Sequence, residues 1–466
     1  MYSQIDTYHL TPTVTGLKYD AAQSSPRRKA VYVSTRSEDR ELPLPDRQAL
    51  ISEGRELLRN LTLAGFAIRK HLQYVASFEF KCSIPGQREY NALVKRWMWN
   101  WSRRGNCDLA RRHCLKELLT LIETHRVLDG DVGILKCSNG RIQLIEGDRI
   151  RNGPGMPEGD YEWVHGVKVG KTGQAFKYAV HRRLPGGGFQ FEREVQAENM
   201  ILCGYYTRTD QVRGVAPMAP AINTFKDVYE GIDYALAKAK MCQYFGLMTK
   251  TLGDLNLSAA EQDAEAAELA KLVTDKFGQG TLHLNLRDGE DAKVLETGTP
   301  SNEFQNFMIA VTRVAFAALD LPYTMYDGTQ ATFFGGRGEL DGYIEGCRNK
   351  QVRLIEALND IADWRLRMAI IDGELPPPPN GMSVDEMLWY CDWIGAGLPF
   401  WRLIEDSKGY AQASRNGHLS PQKICAMHGL DYEENIDEIA AAIACAKERN
   451  FTPDFAVPVE KVNAGM

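Results

Sequence analysis

The sequence predicts an α+β fold built from long helices and one small, mostly antiparallel sheet. Three stretches, near 219–245, 301–321 and 339–371, repeat apolar residues at the spacing of a helix. Residues 133–206 instead alternate in short runs separated by Gly-rich turns, which is typical of antiparallel strands. Pro376–Pro379 must end the third long helix, because proline lacks the amide that a helix interior needs.

The composition of the chain indicates a globular protein without membrane helices or disulfide bonds. The 466 residues are 44% hydrophobic and 25% charged, which suffices for a substantial core and about two or three domains. Apolar runs such as 439–446 fall far short of the roughly 18 residues that a membrane helix needs, so no membrane partner is expected. The polar start of the chain predicts no secretion signal. Ten cysteines without a C-x-x-C pair indicate reduced thiols in a cytosolic protein.

The net charge of −6 bears on nucleic-acid binding. A protein that coats DNA tightly needs clustered Lys and Arg to neutralise the phosphates, so this class is not expected. The charge remains compatible with a surface along which DNA slides, since firm contacts would hinder the movement of the polyanion.

The first half of the chain predicts an arm, three helices and a sheet. Residues 1–48 have little apolar periodicity and several prolines, so we expect an extended arm. Helices are expected from Asp46, as N-cap, to Ile68, then at 91–103 and from Asp108 to Ile122. The predicted strands are Gly133–Cys137, Ile142–Ile145, Val164–Val169, Ala175–His181 and Phe189–Val195.

Two helix seams enclose an insertion. The first seam consists of Ile222, Phe225, Tyr229, Ile232, Leu236 and Ala239. The second consists of Phe304, Phe307, Val311, Val314, Ala318 and Leu321. Between them, 258–277 is expected to be helical and 281–295 to be a hairpin that turns at Asp288-Gly289. Residues 324–338 form a Gly-, Thr- and aromatic-rich loop, and Ser383 and Ser420 are expected to cap short helices further on.

Several segments occur in the order found in one protein family. The main match is Gln196-Ala197-Glu198-Asn199-Met200-Ile201, then Arg208 and the stretch 210–220, which leads into the first long helix. Weaker matches are Arg59-Asn60, Trp97 with Trp101, 128–131, 144–149, 319–323, 332–337, Gly397-Leu398-Pro399 with Trp401, and Gly417 through 429–434. Over residues 50–450 the chain resembles the lambda-type portal proteins of tailed double-stranded DNA bacteriophages. It departs from the family at Leu202, where a histidine is common, and at 333–336, where Asn-Tyr-Ser-Ser is more usual.

The resemblance implies a portal fold with a mixed helix and antiparallel-sheet wing, a long-helix stem, a small α/β clip and a helical C-terminal crown. The implied regions are an arm at 1–48, the wing at 49–218, a first stem helix at 219–246, the clip at 247–300, a second stem helix at 301–322, a tunnel loop at 323–338, a long wing helix at 339–375 and a helical C-terminal wing or crown region at 376–466.

The resemblance also implies a function. Copies of the chain, usually twelve, would form a ring at the unique capsid vertex of the virion, after assembly in the host cytoplasm. Double-stranded DNA would pass through this homo-oligomer during packaging and ejection. The implied partners are the terminase large subunit, head-tail adaptor proteins, and the major capsid or scaffolding protein. No catalysis, cofactor or metal is expected.

The candidate contact residues follow from the implied regions. Candidates for contact with DNA in the channel are Lys238, Lys240, Thr329, Gln330, Thr332, Phe333, Phe334 and Arg337. Candidates for contact between the clip and the packaging motor or tail adaptor are Lys271, Lys276 and Arg287.

Other motifs suggest different chemistry. His165–Gly173 imitates a phosphate-binding loop, but residues 174–180 alternate like a strand, so a hairpin turn is favoured. His418, Cys425 and His428 lack a fourth zinc ligand, and Asp129-Gly130-Asp131 is typical of a turn. A basic and aromatic cluster favours a packed helical layer with solvated arginines over nucleic-acid contact. Its members are Lys95, Arg96, Arg103, Arg104, Arg111 and Arg112 with Trp97, Trp99 and Trp101.

Two alternative functions remain open. One is a nucleic-acid-processing enzyme that uses the basic tryptophan region and an unrecognised acidic site; the other is a different structural component of a capsid or tail. Spacing alone assembles no Ser-His-Asp, Cys-His or paired-carboxylate site. Annular particles would distinguish a portal from an enzyme, which predicts small particles with nuclease or ATPase activity.

Overall fold

The computed structural model describes residues 36–155, 159–244, 247–251, 290–294, 302–329, 332–395, 397, 403–451 and 453. Its helices are α1 (Glu38–Glu41), α2 (Leu44–Asn60), α3 (Thr62–Val75), α4 (Arg88–Trp101), α5 (Leu115–Asp129), α6 (Ile222–Tyr244), α7 (Asn302–Phe316), α8 (Phe333–Ile371), α9 (Val384–Leu388), α10 (Leu403–Arg415), α11 (Pro421–Met427) and α12 (Tyr432–Glu448). Its strands are β1 (Phe78–Cys82), β2 (Asp131–Lys136), β3 (Ile142–Glu146), β4 (Glu162–Val164), β5 (Val167–Val169), β6 (Ala175–Arg183), β7 (Phe189–Gln196), β8 (Met200–Gly204), β9 (Leu247–Thr251), β10 (Glu290–Val294) and β11 (Cys391–Gly395).

The described strands form small antiparallel sheets. β2 lies between β3 and β8 in one sheet, and β4 to β7 follow one another in a second. β1 pairs with β11, which places Cys82 opposite Cys391, and β9 pairs with β10. Mixed helices and antiparallel sheets confirm the predicted α+β class.

A continuous apolar core joins helices α2 to α5, the root of α6, the end of α7 and much of α8. Leu57, Phe225, Phe316 and Leu358 are almost completely buried in it. A second, smaller core is formed by residues of the three-stranded and four-stranded sheets, including Ile145 and Val180. The start of α6 and the end of α7 therefore belong to the same packed body as helices α2 to α5.

The N-terminal boundaries differ from those predicted. Residues 38–41 and 44–48 are helical, so the extended arm expected at 1–48 is wrong in this part, and residues 1–35 lie outside the described residues. Asp46 lies in the first turn of α2, and the N-cap is Pro43. Pro43 and Pro45 suit a helix start, where their missing amides leave no hydrogen bond unmade.

The predicted strand Val164–Val169 is also wrong as a single element. It consists of β4 and β5, which pair with each other around His165 and Gly166. Both residues have positive φ, +46° and +92°, which is incompatible with continuous strand. Four of the described strands were not predicted, namely β1, β8, β9 and β11.

The helices around the 324–338 loop begin and end earlier than predicted. α7 ends at Phe316 and gives way to a 3-10 turn at Ala317–Leu319, after which Asp320 is left-handed. α8 begins at Phe333 and not near residue 339, because the Thr332 hydroxyl accepts a hydrogen bond from the Gly335 amide and caps the helix. The expected N-caps Ser383 and Ser420 are confirmed, and each accepts a hydrogen bond from the amide three residues on.

The insertion between α6 and α7 is described only at its ends, where β9 pairs with β10. The helix predicted at 258–277 and the turn at Asp288-Gly289 lie outside the described residues. None of the helices in the described ranges has both the length and the apolar character that crossing a bilayer requires.

Candidate channel helices and loop

The start of α6 packs against the end of α7. Phe225 on α6 and Phe316 on α7 are both buried, with ring centroids 6.3 Å apart. Higher on the pair, a Cβ at Gly231 would lie 3.1 Å from the Met308 sulfur, so a side chain there would press on α7. The glycine lets the two helices approach closely.

The exposed faces of these helices carry large apolar side chains. On α6, Tyr229, Ile232 and Leu236 are 52%, 54% and 49% exposed. On α7, Phe307 and Val314 are 64% and 65% exposed. Within one chain, the predicted α6 seam is therefore buried only at Ile222 and Phe225, and it is exposed from Tyr229 to Leu236.

The buried face of α7 differs from the predicted seam. It consists of Thr312, Ala315 and Phe316, and continues to Leu319, at spacing i, i+3, i+4 and i+7. Phe307 and Val314 of the predicted seam lie on the exposed side. The helical period was predicted correctly, but the buried face is rotated because Phe316 joins an aromatic cluster.

This cluster ties the start of the 323–338 loop to the helix roots. Phe316 lies 6.2 Å from Phe66, 6.0 Å from Tyr326 and 6.4 Å from Tyr323, measured between ring centroids. Tyr326 packs edge-on against Phe66 at 5.4 Å. Such contacts stabilise by about 0.5–1.5 kcal/mol each beyond area burial, so the loop leaves from a rigid base.

Polar contacts order the loop beyond this base. Asp327 accepts hydrogen bonds from the Thr329 amide (3.0 Å) and hydroxyl (2.7 Å), which hold the pKa of Asp327 below its ordinary value. The Thr324 hydroxyl donates to Glu339 at 2.6 Å. The loop thus has hydrogen bonds both within itself and to the first turns of α8.

The candidate DNA contacts lie in different settings. Lys238 and Lys240 are exposed on α6, and Thr329 and Thr332 are exposed on the loop. Arg337 lies in the first turns of α8, where its guanidinium is 2.9 Å from Asp406 and 3.5 Å from Asp341. The hydrogen bond to Asp406 raises the pKa of Arg337. The group is therefore already neutralised by carboxylates in the chain itself.

The remaining candidates fall into two groups. Gln330, Lys271, Lys276 and Arg287 lie outside the described residues. Phe333 and Phe334 form the first turn of α8 and not the predicted loop.

The segment before α6 contains a buried ion pair that motif reasoning did not assign to any role. Arg213 and Asp131 are fully buried, with two N–O distances of 2.6 and 2.7 Å. Asp131 also accepts from the Gly214 amide at 2.8 Å, and Arg213 donates to the carbonyl oxygens of Gly147, Ile150 and His165. Burial opposes the charge of Arg213, but Asp131 outweighs it and raises the pKa of Arg213.

The same segment is fixed by close backbone approach and by α1. A Cβ on Gly214 would lie 2.2 Å from the Gly130 oxygen, so only glycine fits. Asp39 accepts from the amides of Val212 and Arg213 at 2.8 and 3.2 Å. The family-like stretch 210–220 is thus a structural junction between α1, β2 and α6.

His125, Asp129 and Glu146 bring potential metal ligands within 4.8 Å of one another. Arg55 occupies the centre of this group, with its guanidinium 2.6 Å from Asp129 and 2.9 Å from Glu146. Asp148 joins through Arg183 at 2.6 Å. Because the carboxylates already bind guanidinium groups, this cluster is an ion-pair network.

A second buried network lies nearby. Glu123 is fully buried and contacts His71 at 2.8 Å, and it accepts from Arg126 at 2.5 Å and Tyr205 at 2.6 Å. Burial alone would favour the neutral acid, but Arg126 and the hydrogen bonds hold the pKa of Glu123 below its ordinary value. A charged carboxylate is therefore stabilised inside the core.

The phosphate-loop imitation is a hairpin turn, as predicted. The Gly173 amide donates to the Gly170 oxygen at 2.9 Å, and Gly170 donates to Gln174 at 3.0 Å. The turn joins β5 to β6, and no helix begins there. The turn therefore lacks the helix N-terminus whose free amides bind phosphate in a phosphate-binding loop.

The basic tryptophan region divides into two parts. Trp101 is buried and donates to the Gly140 oxygen at 2.9 Å, and Trp97 packs under Arg365. Lys95 is 3.2 Å from Glu434, and the neighbouring Arg88 is 3.3 Å from Asp437. This part is the predicted packed layer, partly neutralised by the acidic helix α12, whereas the arginines beyond Trp101 are exposed.

Comparison with solved structures found several similar chains. A chain from the neck of an empty gene transfer agent (GTA) particle is 16% identical over 81% of this chain and 94% of its own, with a TM-score of 0.48. A chain from a native GTA virion is 16% identical over 83% and 93%, with a TM-score of 0.47. An HK97-family phage portal protein from Corynebacterium diphtheriae is 12% identical over 66% and 84%, with a TM-score of 0.31.

Sequence comparison gave a family. No curated protein matches the chain. The family description "Phage portal protein, lambda family" matches residues 24–340, which is more than half of the sequence. The chain belongs to the lambda family of phage portal proteins.

Proposed function

We propose that this chain is one subunit of a homo-oligomeric ring, a dodecamer, that occupies the portal vertex of a virion. Double-stranded DNA passes through the ring during packaging and ejection. The terminase large subunit and head-tail adaptor proteins dock on it, and the major capsid or scaffolding protein surrounds it. Assembly takes place in the host cytoplasm. The ring itself hydrolyses nothing.

One observation carries the proposal beyond family membership. The paired helices α6 and α7 leave Tyr229, Ile232, Leu236, Phe307 and Val314 exposed in a single chain. Large apolar side chains that remain exposed along paired helices in this way indicate an interaction site. Neighbouring copies around a closed ring cover such faces without leaving one unsatisfied.

The regions of the ring follow the implied boundaries. α6 and α7 form the stem and residues 247–300 the clip. The tunnel-loop segment 323–338, whose last residues belong to α8, projects toward the passing DNA. Lys238, Lys240 and Thr329 are exposed and supply transient contacts with the phosphate backbone. Arg337 contributes only when it exchanges Asp406 for a phosphate, because the two anions compete for one guanidinium.

Negative-stain electron microscopy of the purified protein tests the ring. We expect annular particles with a central hole. Ile232→Asp places a charge in the stem interface and should give subunits or open assemblies, whereas Asp227→Asn on the same helix should leave rings intact. Small discrete particles from the wild-type protein, with nuclease or ATPase activity, would instead favour an enzyme.

A packaging assay tests the loop. Deleting residues 329–331 spares the Thr332 cap of α8 and should reduce DNA packaging or retention while rings persist. Loss of the ring itself in this variant would contradict the assignment of the segment to the channel.

A further inference from the structure

Residues 102–115 form a compact loop between α4 and α5 whose ends meet. The Leu115 amide donates to the Ser102 oxygen at 2.9 Å, and this hydrogen bond joins the two ends of the loop. The Cys107 thiol is fully buried inside the loop, 3.6 Å from the Ser102 oxygen and 3.7 Å from the His113 oxygen. Compact loops with adjoining ends and their own packing are frequently functional.

The loop backbone is held in one conformation. The buried Asp108 carboxylate accepts from the amides of Ala110 (3.1 Å), Arg112 (2.7 Å) and His113 (3.2 Å). Backbone hydrogen bonds join residues 107 and 109 to Ile142 at the start of β3. Within this frame Arg111 has a φ of +58°, a strained value for a residue with a side chain.

This rigid loop presents four exposed arginines, Arg103, Arg104, Arg111 and Arg112. Within the described residues, none of the four forms an ion pair with a carboxylate, in contrast to Arg88 and Lys95 on the preceding helix. The acidic side chains of the loop and of the next turn have other hydrogen-bond partners, although, after the Cys114 amide, the charge of Arg104 contributes to lowering the pKa of Glu117. Asp108 binds amides, and Glu117 accepts from the Cys114 amide at 3.0 Å and contacts His113 at 3.4 Å.

We propose that the 102–115 loop binds the phosphate backbone of double-stranded DNA outside the channel. The planar guanidinium fork matches phosphate oxygens, and an ordered loop loses little conformational entropy on binding. This proposal rests on the proposed function in one respect, which is that the portal ring brings the loop close to double-stranded DNA. It also revises the expectation that these arginines are merely solvated.

The surroundings favour a duplex over other polyanions. Arg103 lies over the Trp99 ring at 5.1 Å, so this face of the exposed indole is covered and cannot stack on an unpaired base. The exposed apolar side chains at the loop are few, chiefly Trp99 and Leu109. A protein interface needs a larger apolar centre, so an acidic polypeptide is the less suitable partner.

The test uses the full-length protein and a relaxed, covalently closed circular duplex, which has no end to thread through a ring. Filter binding is measured between 50 and 200 mM NaCl. In the loop variant the arginines at 103, 104, 111 and 112 are replaced by glutamine. Its plot of log affinity against log salt should be shallower by about 3.6, since each lost phosphate contact removes about 0.9.

A control variant removes the same four charges where each arginine pairs with a carboxylate. Its substitutions are Arg193→Gln, Arg348→Gln, Arg353→Gln and Arg367→Gln. We expect the wild-type slope from this control. An equal loss in both variants, an unchanged slope in the loop variant, or equal competition by single-stranded DNA or poly-glutamate would overturn the proposal.

Two further measurements keep the outcomes distinct. If the fourfold variant fails to fold, the Arg111→Gln/Arg112→Gln variant should show a slope change of about 1.8 for two contacts. Electron microscopy of the same samples reports ring formation separately. If rings form and the loop variant binds DNA as the wild type does, only the loop proposal is wrong. If the protein binds DNA through the loop but forms no rings, only the portal proposal is wrong.

Discussion

The junction between α1, β2 and α6 allows a quantitative test through Asp131→Asn. The substitution keeps the shape of the side chain and removes its charge. In the wild type, Asp131 accepts three hydrogen bonds, from Arg213 Nε at 2.6 Å, Arg213 Nη2 at 2.7 Å and the Gly214 amide at 2.8 Å. The asparagine amide would turn at least one N–H group toward a donor.

The expected loss of unfolding free energy follows from burial. Both side chains of the pair are 0% exposed, so the guanidinium of Arg213 cannot recover its lost partner from water. Breaking a buried pair from one side costs about 3–5 kcal/mol. The half-exposed pair Lys177–Glu194, at 2.9 Å, serves as control. Lys177→Gln should cost about 0–1 kcal/mol.

Urea unfolding followed by tryptophan fluorescence, at one fixed protein concentration, measures the difference. With a slope of about 3 kcal/mol/M, Asp131→Asn should lower the midpoint by about 1–2 M and Lys177→Gln by less than about 0.4 M. Equal midpoints for the two variants would refute the reasoning, because the buried pair would then stabilise no more than a surface pair.

Three further predictions concern the core and the loop. The folded protein holds the pKa of Glu123 below the ordinary value of 4.5. The stability that the charged Glu123 contributes is therefore fully present above pH 4.5 and is lost as the pH falls through the pKa of the folded state. In the Glu123→Gln variant, the unfolding free energy should fall less steeply with decreasing pH in this range. Phe316→Ala should cost about 3–5 kcal/mol in urea unfolding, since the ring is buried. Thr332→Ala removes the cap of α8 and should speed hydrogen exchange of the Gly335 amide about fivefold, for about 1 kcal/mol. No change at Gly335 would exclude a capping role for Thr332.

Helical period could be read from the sequence, but not which face is buried. In the predicted seam of α6, Ile222 and Phe225 are buried, whereas Tyr229 is exposed. In α7 the aromatic cluster selects Phe316 and rotates Val314 into exposure. Apolar spacing specifies a stripe on a helix, whereas the surface that covers it is set by distant parts of the chain or by other subunits.

Glycine content misled the prediction at 333–338. Gly335 and Gly336 indicated a loop, but the hydroxyl of Thr332 starts a helix there. β1 and β11 left no local signal because their partners are far apart in the chain. The roles of Lys238, Lys240 and Thr329 remain predictions, since a sequence pattern cannot give the direction of a side chain relative to a ring axis.

The buried Arg213–Asp131 pair could not have been found from spacing. The two residues are separated by the whole four-stranded sheet in sequence, and Asp131 alone is typical of a turn. Arg213 did stand in the stretch that resembles portal proteins. Its meaning became clear only when the fold placed it, without any solvent contact, between β2 and α6.

The pairing of β1 with β11 has a consequence for synthesis of the subunit on the ribosome. β1 is complete early, but its partner strand emerges only after roughly 300 more residues, which takes on the order of 15–60 s at usual translation speeds. Until then the edge of β1 is open and the nascent polypeptide cannot finish its first domain. Formation of the β1–β11 pair therefore waits for the late strand, so this part of the fold is completed only when most of the chain has been synthesised.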